Sequence, residues 1–189
     1  MIKEFPKKRD SFCTDCITQI SENSNLDSND YELIKAIALT LSQIVKKNKS
    51  KPNYKKEIKE HHNEIIYSNS IPLITIKDYL LRIQKYTRIE DNTLIIALIY
   101  IDRICKNKNV ILTDYNTHRI IFASIISAIK YHEDKYYSNK YYAKIGGMDI
   151  STLNKLEAYF LFQLDFRIVV EHSLFQKYYD KLLLSEKDN

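Results

Sequence analysis

Two glycines and three prolines among 189 residues are too few for a protein built of sheets. A β-rich domain of this size needs many tight turns, and the residues that usually make them are missing here. The expected fold class is therefore all-α. The length suits one compact domain that buries its own core without crosslinks.

Hydrophobic spacing places the helices. Tyr31, Ile34, Ile37, Ala38, Leu41, Ile44 and Val45 recur at three- and four-residue steps behind Asp30, a candidate N-cap, and predict an amphipathic helix. Residues 1–30 before it are rich in polar clusters and read as a loosely ordered leader. Residues 31–63 read as that helix followed by a basic, solvated linker from Lys46 to Asn63 around Pro52. Five segments follow from Pro72 onward. The first spans Ile74 to Thr87, and the second opens at Asp91 or Asn92 and ends near Lys106. Leu94 to Ile101 in the second is continuously apolar, which suits a buried strand or a buried helix. The continuation through Asp102, Arg103 and Ile104 without turn residues favours the helix. Thr113 is the candidate cap of the third, whose stretch Ile120 to Ile129 is apolar almost all round and belongs at the centre. Ser138 opens a short fourth helix, which Gly146 and Gly147 end through positive φ angles. Asp149 or Ser151 caps the fifth, with Leu153, Leu156, Tyr159, Phe160 and Leu164 on one face. A final helix runs from about Ser173 to Leu184.

Composition removes several function classes. A net charge of +5, with both signs scattered along the chain, permits nucleic-acid binding without requiring it. Cys13 and Cys16 form a lone CxxC, Cys105 is distant, and adjacent His61 and His62 lack ligand spacing, so no metal site is expected. Three cysteines give no disulfide framework and suit a reducing, intracellular compartment. No apolar run approaches the roughly 20 residues of a membrane span, and Met1 to Asp10 is charged with no apolar stretch behind it. Phosphate-binding glycine loops, HExxH and a nucleophile–base set are not found, so no catalytic residue and no cofactor is assigned. His61, His62, His118, His132 and His172 are scattered and read as surface or capping residues.

Two charged residues stand out against the apolar pattern. Lys130 follows Ile129 directly at the end of the central helix, where its stem must run along core surface. Glu157 sits among Leu156, Tyr159, Phe160 and Leu161. The two meet at one surface if the third and fifth segments pack side by side. On periodicity alone they read first as an ordinary solvated lysine and glutamate.

Several linked motifs then carry a resemblance. LIIALIYIDRI at Leu94 to Ile104 is similar to the second helix of the cyclin box. ASIISAIKYHED at Ala123 to Asp134 resembles the third, and LNKLEAYFLFQLDFRI at Leu153 to Ile168 resembles the fifth helix with the turn after it. IKDYLLRIQKY, the NTHR at Asn116 to Arg119, and AKIGGMD at Ala143 to Asp149 resemble the P/U-type cyclins, the phosphate-pathway group. The resemblance covers about Ile71 to Leu183. It implies a single five-helix cyclin box with flanking N- and C-terminal helices, the box with its C-terminal helix occupying residues 70–184.

The resemblance also implies roles. Lys130 and Glu157 fall at the cyclin-box lysine and glutamate that hold the kinase's PSTAIRE-type helix, and Tyr131, Leu161, Phe166 and Ile168 fall at apolar contacts around them. The expected function is binding and activating a cyclin-dependent protein kinase, with no membrane or nucleic-acid partner and no catalysis by this chain. Asp102 matches an aspartate that normally pairs inside the fold, and Arg82 is the candidate partner. The MRAIL-like substrate-docking patch reads IPLITIKDYL here, without the docking arginine, so RxL-type recruitment is not expected. The rival readings are a nucleic-acid-binding module, because the cyclin fold also occurs in transcription factors and Lys46 to Lys59 is basic, and a helical scaffold that does not activate a kinase.

Overall fold

The computed structural model describes residues 28–108 and 110–187. The Cys13–Cys16 motif and most of the expected leader lie outside them. The described residues form eight α-helices and no strand: α1 Ser28–Lys49, α2 Tyr54–His61, α3 Ile76–Thr87, α4 Asp91–Asn107, α5 Thr117–His132, α6 Asn139–Gly146, α7 Ile150–Gln163 and α8 His172–Lys187. None is long and apolar enough to cross a membrane.

The hydrophobic spacing dictates what each helix buries. On α1 the stripe Ile34, Ile37, Ala38, Leu41 and Val45 is buried, whereas Tyr31 and Ile44 at its margins stay exposed. Every residue from Leu94 to Ile101 is buried, in a helix rather than a strand. All residues from Ile120 to Ile129 are buried as well, so α5 is the central rod. It packs against α4, α6 and α7, while α1 closes over α3 and α8 joins α1 to α4. The buried Thr113, Asn116 and Thr117 bond to backbone or to each other.

Local chemistry sets the helix ends. Thr75 caps α3 by accepting from the Asp78 amide at 3.1 Å, and Asp149 caps α7 by accepting from the Thr152 amide at 2.9 Å. Thr113 does not cap α5. The Asn116 Oδ1 accepts from the Thr113 amide at 2.7 Å, closing a turn that delays the helix to Thr117. Ser138 stands at the N-cap of α6 but makes no side-chain cap bond. Of the two glycines after it, only Gly147 has positive φ, at +69°. Gly146 is needed for space, since a Cβ there would stand 2.5 Å from Phe122 Cε1.

The expected solvated linker is instead built into the fold. α1 continues to Lys49, and α2 follows after a short turn. Buried Tyr54 explains this: its hydroxyl donates to Asp114 at 3.1 Å and accepts from the Asp114 amide at 3.0 Å, beside a Lys49–Asp114 ion pair at 2.8 Å. Glu64 then accepts from the Tyr159 hydroxyl of α7 at 2.7 Å, and one Arg119 nitrogen donates to the carbonyls of Ile65 and Tyr67, each at 2.7 Å. His61 lies between Glu64, 2.6 Å from Nδ1, and Glu57, 3.9 Å from Nε2. The hydrogen bond to Glu64 raises its pKa above the ordinary 6.5.

Candidate docking face

The packing of α5 on α7 brings Lys130 and Glu157 together. Lys130 lies in the last turn of α5, where the helix dipole favours a cation, and Glu157 lies midway along α7. The Lys130 Nζ donates to Glu157 Oε1 at 2.6 Å and to Oε2 at 2.8 Å. Their side chains retain 25% and 14% of their accessible surface, so the pair is desolvated by protein yet open on one side. Asn139, the first residue of α6, donates from Nδ2 to Glu157 Oε2 at 3.0 Å and to Asn154 Oδ1 at 2.7 Å. Sequence reading did not single out Asn139 or Asn154. The available signal was the i,i+3 spacing of Asn154 and Glu157, which puts two polar residues on one face of α7.

Large apolar side chains are exposed at the end of α5, on α7 and in the segment after it. Tyr131 is 49% exposed and Phe166 65%, and two residues that sequence reading passed over, Phe162 and Val169, are each 67% exposed. Leu161 and Ile168 are half-buried. Phe162 was detectable, because it lies off the buried stripe of Leu153, Leu156, Phe160 and Leu164.

The segment after α7 is held in an unusual shape. Asp165 and Phe166 both adopt left-handed backbone angles, with φ of 50° and 54°, which side chains resist. Three groups of α4 and its end hold it there. Lys108 pairs with Asp165 at 2.7 Å and pulls that carboxyl below its ordinary pKa, Arg103 donates to the carbonyls of Arg167 and Val169, and the Tyr100 hydroxyl donates to the Ile168 carbonyl. Tyr100 has a single proton, so His132 Nε2, 3.0 Å away, is the donor of their bond. Burial holds the His132 pKa below the usual histidine value. The Tyr131 ring meets the His132 ring edge-on at 4.8 Å, which ties the exposed tyrosine to the same network.

The anticipated Asp102–Arg82 pair does not form. Asp102 is taken by Lys106, one turn on at 2.7 Å, and by the Tyr178 hydroxyl of α8, whereas Arg82 donates to the Lys144 carbonyl at 3.1 Å. The i,i+4 lysine satisfies the carboxylate locally, and α3 directs Arg82 toward α6 instead. His118 is likewise not a surface residue: it is half-buried, its Nε2 lies 2.9 Å from the Ile74 carbonyl, and burial lowers its pKa. Burial pushes the Cys105 thiol up to about 12. Among the described residues no cluster of three or more His, Cys, Asp or Glu side chains is arranged to hold a metal ion.

This all-helical chain has a counterpart among known families. The model of the family described as Cyclin matches residues 31–168, and the chain belongs to that family. Cyclin-U2-2 of Arabidopsis thaliana is 40% identical over 116 residues, 61% of this chain and 50% of the relative. Cyclin-P3-1 of Oryza sativa subsp. japonica is 30% identical over 175 residues, 93% of this chain and 73% of the relative. PHO85 cyclin-7 of Saccharomyces cerevisiae is 32% identical over 166 residues, 78% of this chain and 58% of the relative. These relatives bear out the P/U-type resemblance. The chain spans about half the length of the U2 cyclins it matches.

Proposed function

We propose that this chain is the regulatory subunit of a cyclin-dependent protein kinase and docks the kinase's mobile regulatory helix on the Lys130–Glu157 face. The observation that carries this reading is the part-buried charged pair, bonded at 2.6 and 2.8 Å, with exposed Tyr131 next to Lys130 in the chain. At such an interface exposed apolar side chains supply affinity, and a desolvated pair of charges fixes register through charge-assisted hydrogen bonds. Membership of a family whose relatives include a PHO85 cyclin supports it further.

Activation follows from differential binding. A surface that fits the regulatory helix only in its inward position favours the kinase state in which the lysine and glutamate that orient ATP are paired. The phosphoryl chemistry then belongs wholly to the partner. The test is recovery of a kinase from native extract by the full chain. Lys130→Ala and Glu157→Ala should each lose about 2 to 5 kcal/mol of binding, because the remaining charge is left buried against the partner without its counterpart. Equal recovery by all three forms would refute the assignment.

A further inference from the structure

We infer that Asn139 is the positioning residue that holds the Glu157 carboxylate in its docking orientation, an assignment that rests on the docking face proposed above. A lysine ammonium donates in any direction from a flexible stem, so Lys130 fixes the distance of Glu157 but not the plane of its carboxylate. The Asn139 amide is planar and directional. Its Nδ2 donates one proton to Glu157 Oε2 at 3.0 Å and the other to Asn154 Oδ1 at 2.7 Å. Glu157 Oε2 and Asn154 Oδ1 are both acceptors, so the Asn139 nitrogen has to face them, and both its protons are used.

The backbone context argues the same way. An asparagine at the start of a helix ordinarily turns back to cap the helix's own amides. Here Ser138 makes no side-chain cap bond, and the Asn139 amide reaches across to α7. Asn154 and Glu157 are one turn apart on α7 and share a face. The amide therefore fixes the carboxylate to two helices at once, and Glu157 meets a partner with its rotamer already chosen, so less freedom is lost on binding.

The test uses the full chain and a purified cyclin-dependent kinase that it binds, with affinity measured by titration. Asn139→Ala should bind roughly tenfold more weakly. Asn139→Asp should bind more weakly still, because it sets a second carboxylate where the amide now stands 3.0 Å from Glu157. A purely structural role would give the opposite order, since aspartate has nearly the shape of asparagine and suits the first turn of a helix. Thermal midpoints of both variants identify any loss of folding, and Asn139→Asp carries the comparison if Asn139→Ala is destabilised. In a Glu157→Ala background, Asn139→Ala should cost nothing further. If Lys130→Ala and Glu157→Ala lose binding while both Asn139 variants bind as the wild type does, or if the double variant loses the sum of the two single losses, Asn139 is not a positioning residue. If Glu157→Ala itself binds as the wild type does, the docking face fails first and this inference with it.

Discussion

Gly146 lies directly over the ring of Phe122: a Cβ at that position would stand 2.5 Å from Cε1 and 2.9 Å from both Cδ1 and Cζ. The contact presses α6 onto the central helix and sets the depth at which α6 sits beside α7. Phe122 is fully buried and has no room to retreat. Gly146→Ala should therefore cost about 1 to 3 kcal/mol, read as a lower urea midpoint with an unchanged slope. A wild-type midpoint would show that Phe122 moves aside freely.

Asp102 and Tyr178 join α4 to α8 through one hydrogen bond. Tyr178→Phe keeps the ring and removes the donor, while Lys106 still satisfies the carboxylate at 2.7 Å. The expected loss is about 1 kcal/mol by urea denaturation. Arg82→Met should leave the state of Asp102 unaltered. A strongly non-additive result in the Arg82→Met, Asp102→Asn double variant would contradict the separation of the two residues.

The histidines give stability an acid limit. His118 has a folded pKa below the ordinary 6.5, with burial the largest cause, and its buried Nδ1 has no hydrogen-bond partner. Its contribution is present above the unfolded value and is lost as pH falls through the folded one. His132 acts in the same direction, again through burial. His61 acts oppositely: bonded to Glu64, it has a raised pKa, so its contribution is full below 6.5 and fades as pH rises through the folded value. Thermal midpoints should fall between about pH 7 and about pH 5, less steeply in His118→Gln and more steeply in His61→Gln. Identical slopes in all three proteins would refute this ordering.

Phe166 combines a φ of 54° with 65% exposure, so it is strained and contributes little to the core. Phe166→Gly should leave stability unchanged or raise it by up to about 1 kcal/mol, because glycine adopts this backbone freely. It should at the same time weaken retention of a kinase. Loss of stability together with unimpaired retention would mean that the residue serves the fold rather than the surface.

Much of this architecture was legible in sequence because the strong signals were local and repeated. Leu94 to Ile101 was ambiguous in isolation, and the scarcity of turn residues resolved it as a helix. Lys130 and Glu157 were visible as charges set against apolar runs, and the family resemblance linked them before any packing was known. What escaped sequence reading depended on distant partners. α2 has a polar composition, and its reason for being helical, the Tyr54–Asp114 contact, spans 60 residues. Thr113 and Asn116 are both ordinary capping residues, and only the turn that they close together selects between them. Phe162 was passed over as one apolar residue among many, although its place off the buried stripe was readable. Asp102 was assigned the wrong partner because a lysine four residues on was overlooked in favour of a family expectation.

The most direct test of the account is stimulation of a cognate cyclin-dependent kinase by the purified chain. The chain alone should transfer no phosphate, and added at a fixed concentration to its kinase it should raise the rate of substrate phosphorylation. Lys130→Ala and Glu157→Ala, folded to the same thermal midpoint, should raise it far less at that concentration. Phosphorylation that proceeds at one rate with wild type, with either variant and with no added chain would contradict the proposed role.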